Sequence, residues 1–258
     1  MTVLTRARQG RIRFAAVALA AVGLAVSAAG CGLEPSQAAP GASASAPSSP
    51  AASGSSIASA PSTTAAPGHR GPADCVYTQT GTAARPVSQP PSTGVPMSGT
   101  AKAVITLTAG TIRLTLDRTD APCTVNSFLS LARQKFYDNT DCTRMTIVAS
   151  LSMLQCGDPT GTQTGGPGYT FPDELSGNET YPAGTLAMAN SGPNTNGSQF
   201  FMVFKDSNLP PNYTVFGHLD PAGVAVLAKI AKGGVDNSNG PGDGKPKSEA
   251  KIVTVSAG

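Results

Sequence analysis

The sequence has 258 residues, a formal charge of +3, no Trp, few aromatic residues, 29 Gly and 22 Pro. Four of its cations (Arg6, Arg8, Arg11, Arg13) precede the first acid, Glu34, and removing them takes the balance from +3 to −1. The remainder has no basic cluster of the kind that binds nucleic acid, and the length suits one ordinary domain with appendages.

The basic start MTVLTRARQGRIR is followed by an apolar run from Phe14 to Ala29. That run matches a signal-peptide core and is short for a spanning helix. Ala28-Ala29-Gly30-Cys31 then resembles a bacterial lipobox, with Ala28 where Leu is usual. Residues 1–31 are therefore read as a signal peptide ending at a lipidated Cys31. Its acyl chains would anchor the protein to the outer face of the cytoplasmic membrane, and ordinary secretion is the alternative. Residues 32–98 are mostly Ala, Ser, Pro and Gly, with too few large side chains to offset the entropy of ordering. They are expected to form a disordered tether. Its last part carries Cys75, Val76 and Tyr77 and could pack on the domain spanning 99–258.

Cys75, Cys123, Cys142 and Cys156 make an even set in an exported chain, which favours disulfides, with all three full pairings open. Their wide spacing and the lack of His among them argue against zinc. Next, KAVITLT and TIRLTLD alternate around Ala109-Gly110, a hairpin signal. Asp120-Ala121-Pro122 opens a helix with Asp120 as cap candidate, and Val125, Phe128, Leu129, Ala132 and Phe136 recur at helical spacing. Strands are expected at MTIVAS, SMLQCG, TLAMAN, QFFMVF and TVFGHL. A second helix runs from Gly223 to Lys232 with Val224, Leu227 and Ile230 inward, and KIVTVS is the last strand. Many short strands with two helices point to a mainly β fold, a closed antiparallel barrel.

Four stretches carry a family resemblance. GTIRLTLDRTDAPCTVNSFLSLARQKFYDNTDCTRM, LQCGDPTGTQTGGPGYTFPDE, GTLAMANSGPNTNGSQFFMVF and YTVFGHL stand in the order and spacing of a cyclophilin domain, from Lys102 to Ser256. The resemblance implies an eight-stranded antiparallel barrel capped by two helices, and peptidyl-prolyl cis/trans isomerase activity without cofactor or metal. By motif position Arg144, Gln155 and Asn190 correspond to the catalytic positions. Met153, Ala189, Ser191, Gln199, Phe201, Leu209 and Tyr213 correspond to the substrate-binding positions, with Tyr213 where the family often has His. The partners implied are proline-containing peptides and folding proteins, met by a monomer.

The chain also departs from the family pattern. About three extra residues separate Arg144 from Gln155. The aromatic wall residue three before the Gln is Ser152, with Leu151 the neighbour able to replace it. Asn208 stands where Trp is common, and Gln163 replaces a glycine. These departures keep a second reading open, a peptide-binding or chaperone module without turnover. Hydrolytic chemistry is disfavoured, because His218 is the only domain His and has no partnered nucleophile.

Overall fold

The computed structural model describes residues Asp74–Gly258. The expected signal peptide, Cys31 and the expected tether up to residue 73 lie outside the described residues. The described chain forms twelve strands and two helices. In chain order they are β1 (Thr78–Gln79), β2 (Thr100–Leu107), β3 (Gly110–Asp117), α1 (Pro122–Arg133), β4 (Thr140–Asp141), β5 (Arg144–Val148) and β6 (Leu151–Cys156). There follow β7 (Tyr169–Thr170), β8 (Thr185–Met188), β9 (Phe200–Lys205), β10 (Val215–Leu219), α2 (Pro221–Ala231), β11 (Asp243–Gly244) and β12 (Lys251–Ala257).

Ten of the strands form one antiparallel sheet in the order β11-β5-β6-β9-β8-β10-β3-β2-β12-β4. Its eight longer strands match the expected count, but the sheet is not a closed barrel. The two-residue strands β11 and β4 end it, and no ladder joins them. At that seam the chain itself passes from β4 to β5 through Cys142-Thr143, and the Cys142–Cys156 disulfide ties β6 to the same place. A covalent crossing thus replaces the row of main-chain hydrogen bonds that would close a barrel.

Alternation within the strands decides what each face meets. In β9, Phe200, Met202 and Phe204 join the main core, whereas Phe201 and Val203 belong to a smaller cluster with Met153, Tyr181 and Ala187. Phe128 of α1 packs on Phe200 and Phe216 with ring centroids 5.5 and 5.4 Å apart. Helix α1 ends at Arg133, so Phe136, expected on its face, is buried from the loop beyond, after Lys135 has turned through φ 59°.

Capping differs at the two helices. Asp220 caps α2, accepting from Gly223 N at 2.8 Å, with Pro221 opening the helix. Asp120 does not cap α1. The N-cap is Ala121, which has no capping side chain, and the free donors are met from a distant loop. Glu174 accepts from Cys123 N (2.9 Å), Thr124 N (2.8 Å) and Thr124 Oγ1 (2.7 Å). Burial pushes the Glu174 carboxyl up, and these bonds only partly offset it.

Residues 74–98 form a strap across α1. A Cys75–Cys123 disulfide staples its start to the helix. Arg85 Nη1 donates to the carbonyls of Lys135, Phe136 and Asp138 just past the helix end. β1 pairs with β7, and Thr80 N and Gly81 N both donate to Gly168 O.

Candidate active site

Three neighbouring strands bring distant residues into one row. Arg144 of β5 pairs with Gln155 of β6, which pairs with Phe201 of β9. Directly opposed residues on adjacent strands share a face, so the guanidinium, the amide and the ring stand side by side on one side of the sheet. Around them is a cavity of about 170 Å³. Its walls include Arg144, Gln155, Asn190, Met153, Ala189, Phe201, Leu209 and Tyr213. Ser191 and Gln199 line an adjoining cleft of about 330 Å³ that shares Gln155, Ala189 and Asn190 with the first. All ten groove positions named from sequence therefore fall on one continuous depression.

The polar side chains of the groove are held by specific bonds. Gln155 Nε2 donates to Gln199 Oε1 (2.9 Å), and Gln199 Nε2 donates to Gln163 O (2.9 Å) and Gly165 O (3.1 Å). Gln163 sits at φ 67°, the left-handed region that a glycine adopts without strain. Asn190 Nδ2 donates to Asn212 O (2.9 Å), and its Oδ1 accepts from Gly192 N (3.3 Å). With that side chain engaged, Asn190 offers the groove its main chain.

The apolar wall is Phe201, Met153, Leu151, Leu209 and Tyr213, with Phe201 and Tyr213 edge to face at 5.6 Å. Leu151, Met153 and Gln155 alternate onto the groove face of β6, whereas Ser152 turns the other way. Ser152 is buried, its N donating to Ser207 Oγ (3.0 Å) and its Oγ to Val148 O (3.2 Å). Leu151 takes the wall place, and Asn208 lines a shallower depression beside it.

Two residues of the site were not legible in the sequence. Tyr181 sits behind Phe201 at 6.2 Å, and its hydroxyl shares its one proton between Pro210 O and Tyr213 O, each at 3.2 Å, while accepting from Tyr213 N. It fixes the loop that carries Leu209 and Tyr213, yet it lies in an irregular segment without periodicity. Asp243 grips Arg144 in two parallel bonds, Nε to Oδ1 at 2.9 Å and Nη2 to Oδ2 at 2.7 Å. Those bonds raise the Arg144 pKa further and hold the Asp243 carboxyl below its ordinary range. Among the described residues Nη1 of Arg144 has no protein acceptor, and the side chain is one-third exposed (33 %) at the cavity.

A family model for cyclophilin type peptidyl-prolyl cis-trans isomerases matches residues 102–257. The chain is 48 % identical over 186 residues to a probable peptidyl-prolyl cis-trans isomerase B of Mycobacterium leprae, covering 67 % of this chain and 62 % of that protein. A Mycobacterium tuberculosis protein of the same name is 50 % identical, with 67 % and 60 % covered. The chain thus spans under two thirds of the length of these relatives. A crystal structure of a Cryptosporidium parvum cyclophilin type isomerase superposes with a TM-score of 0.54 at 32 % identity, covering 62 % of this chain and 98 % of that one. The same protein in the presence of the dipeptide Ala-Pro gives 0.52 at 32 % identity, covering 61 % of this chain and 98 % of that one.

Proposed function

The chain belongs to the cyclophilin-type peptidyl-prolyl cis-trans isomerase family, and on that premise we propose that it catalyses X–Pro rotation in proteins folding outside the cytoplasmic membrane, with Arg144 assisting the twist. The observation that carries this is the free Nη1 edge of Arg144 beside a small cavity walled by Phe201, Met153, Leu151 and Leu209. The apolar walls suit a pyrrolidine ring, and Ala189 leaves room for the chain entering it. A related structure determined with Ala-Pro supports that class of ligand.

The chemistry is differential binding. An amide resists rotation by ~18–20 kcal/mol because the nitrogen lone pair is delocalised. In the twisted state that pair is localised on a pyramidal nitrogen able to accept a hydrogen bond. A guanidinium N–H positioned there binds the twisted state better than either planar isomer, which lowers the barrier without nucleophile or proton transfer. Gln155, Gln199 and the main chain of Asn190 hold the extended peptide on either side.

An export route is supported by the signal-like N-terminus and by the two disulfides, Cys75–Cys123 and Cys142–Cys156, which persist in oxidising compartments. Cys31 is proposed as the lipidated residue holding the domain at the outer face of the membrane. The non-catalytic alternative draws on Ser152 and on the lengthened segment before it, and Leu151 in the wall answers the first of these.

The test is cis/trans exchange of an Ala-Pro peptide with and without the protein, by protease-coupled assay or NMR exchange. Arg144→Ala is expected to lower kcat/KM about 100-fold. Peptide binding without faster exchange in the wild type would favour the non-catalytic module.

A further inference from the structure

We infer that Asp243 is a positioning residue for the groove, setting the Arg144 guanidinium so that its Nη1 edge faces the bound prolyl nitrogen. This rests on the isomerase reading above and deepens it.

Strand register explains the contact. β11 pairs antiparallel with β5, Asp243 opposite Thr146 and Gly244 opposite Met145. Arg144 is therefore the diagonal neighbour of Asp243, a separation that a long side chain bridges easily. The loop leading to β11 is braced from within. Asp236 Oδ1 accepts from Ser238 N (2.9 Å) and Lys245 N (2.8 Å), Asn237 Oδ1 accepts from Gly242 N (2.8 Å), and Ile147 N donates to Gly242 O (2.9 Å). Gly242 sits at φ 75°, and a Cβ there would meet Val148 Cγ1 at 2.7 Å. Only glycine lets the loop pass this close to the β5–β6 hairpin. Asp243 is thus presented by a fixed backbone.

The bidentate contact uses Nε and Nη2, which removes torsional freedom from a side chain otherwise rich in rotamers. The carboxylate takes one edge of the planar guanidinium and leaves the other. Nothing else in the described groove bonds the guanidinium, because Gln155 is turned to Gln199. Asp243 touches neither the cavity of Phe201 nor the adjoining cleft. It lines instead the neighbouring depression, which Leu151 and Leu209 also border, and its bonds to groove side chains go to Arg144.

The experiment compares wild type, Asp243→Ala, Asp243→Asn and Asp243→Glu, each also in an Arg144→Ala background, with thermal unfolding to confirm folding. Misplacing the donor is expected to lower kcat at least tenfold with KM nearly unchanged, since the contact orients the transition-state donor and leaves the apolar wall intact. Asp243→Asn is expected to fall between wild type and Asp243→Ala, because its amide oxygen still accepts one guanidinium N–H while its NH₂ opposes the other. Asp243→Glu should recover most of the rate. In the Arg144→Ala background none of the Asp243 substitutions should cost more. The Arg144 Nε–H resonance gives a readout independent of turnover, a protected signal in wild type that is lost in Asp243→Ala. An active wild type whose kcat is unchanged in a folded Asp243→Ala overturns this inference alone. Equal losses with and without Arg144 do so too. An inactive wild type fails the isomerase reading itself.

Discussion

Leu151 and Ser152 are adjacent, and the structure assigns them opposite fates, so substituting each separates wall from core. Leu151 packs with Phe201 and Met153 on the groove side. Leu151→Ala deletes three carbons at about 0.8 kcal/mol per buried CH₂, but only one side of the chain would meet a ligand, so the binding loss is about 1 kcal/mol. That is about a fivefold rise in KM, with kcat held because Arg144 is untouched. Ser152 lies behind the sheet, 2 % exposed and on the same face as core residues Leu154 and Cys156. Placing Phe there overpacks the core for about 1–3 kcal/mol and breaks the bond to Val148 O, without adding an aromatic wall. Steady-state peptide kinetics and thermal unfolding on both variants decide the matter. A Ser152→Phe protein with unchanged Tm and a lower KM would mean that the ring enters the groove and that residue 152 faces the ligand and not the core.

Glu174→Ala should leave three donors of α1 without partners and lower stability by about 1–2 kcal/mol, measured by denaturant unfolding with catalysis little affected. Breaking Cys75–Cys123, which closes a loop of 48 residues, is expected to cost up to about 4 kcal/mol, seen as a lower Tm of the Cys75→Ser/Cys123→Ser pair. The same pair should alter peptide affinity, because Thr80–Thr82 of the released strap line the cleft beside Gln199. Asp243 has a lowered pKa through its bond to Arg144, so its contribution to stability is fully present above the unfolded value of about 3.9 and is lost as pH falls through the folded value. Tm measured between neutral pH and acid should therefore fall more steeply for wild type than for Asp243→Asn.

Much of the fold was legible because its signals are local. The β2–β3 hairpin and the α1 face at Val125, Phe128 and Leu129 follow from short-range periodicity, and the five middle strands from short apolar runs. The groove positions were legible for another reason, since four ordered motifs carried the resemblance and strand pairing then brought Arg144, Gln155 and Phe201 together. The two-residue strands β1, β4, β7 and β11 were not, because no period can be read over two residues. The cap of α1 was not legible either, because it is a long-range contact. Asp120 was the nearest acid in sequence, but the donors are met by Glu174, about fifty residues on.

The sequence by itself determined the alternation of the β2–β3 hairpin, the two helices and the set of side chains that line the groove. Only the tertiary structure decided how the sheet ends, which cysteines pair, that Leu151 and not Ser152 forms the wall, and that Asp243 holds Arg144. Those are long-range contacts, up to 99 residues apart. They are fixed by register between strands and by closure of the chain upon itself, which no local spacing encodes.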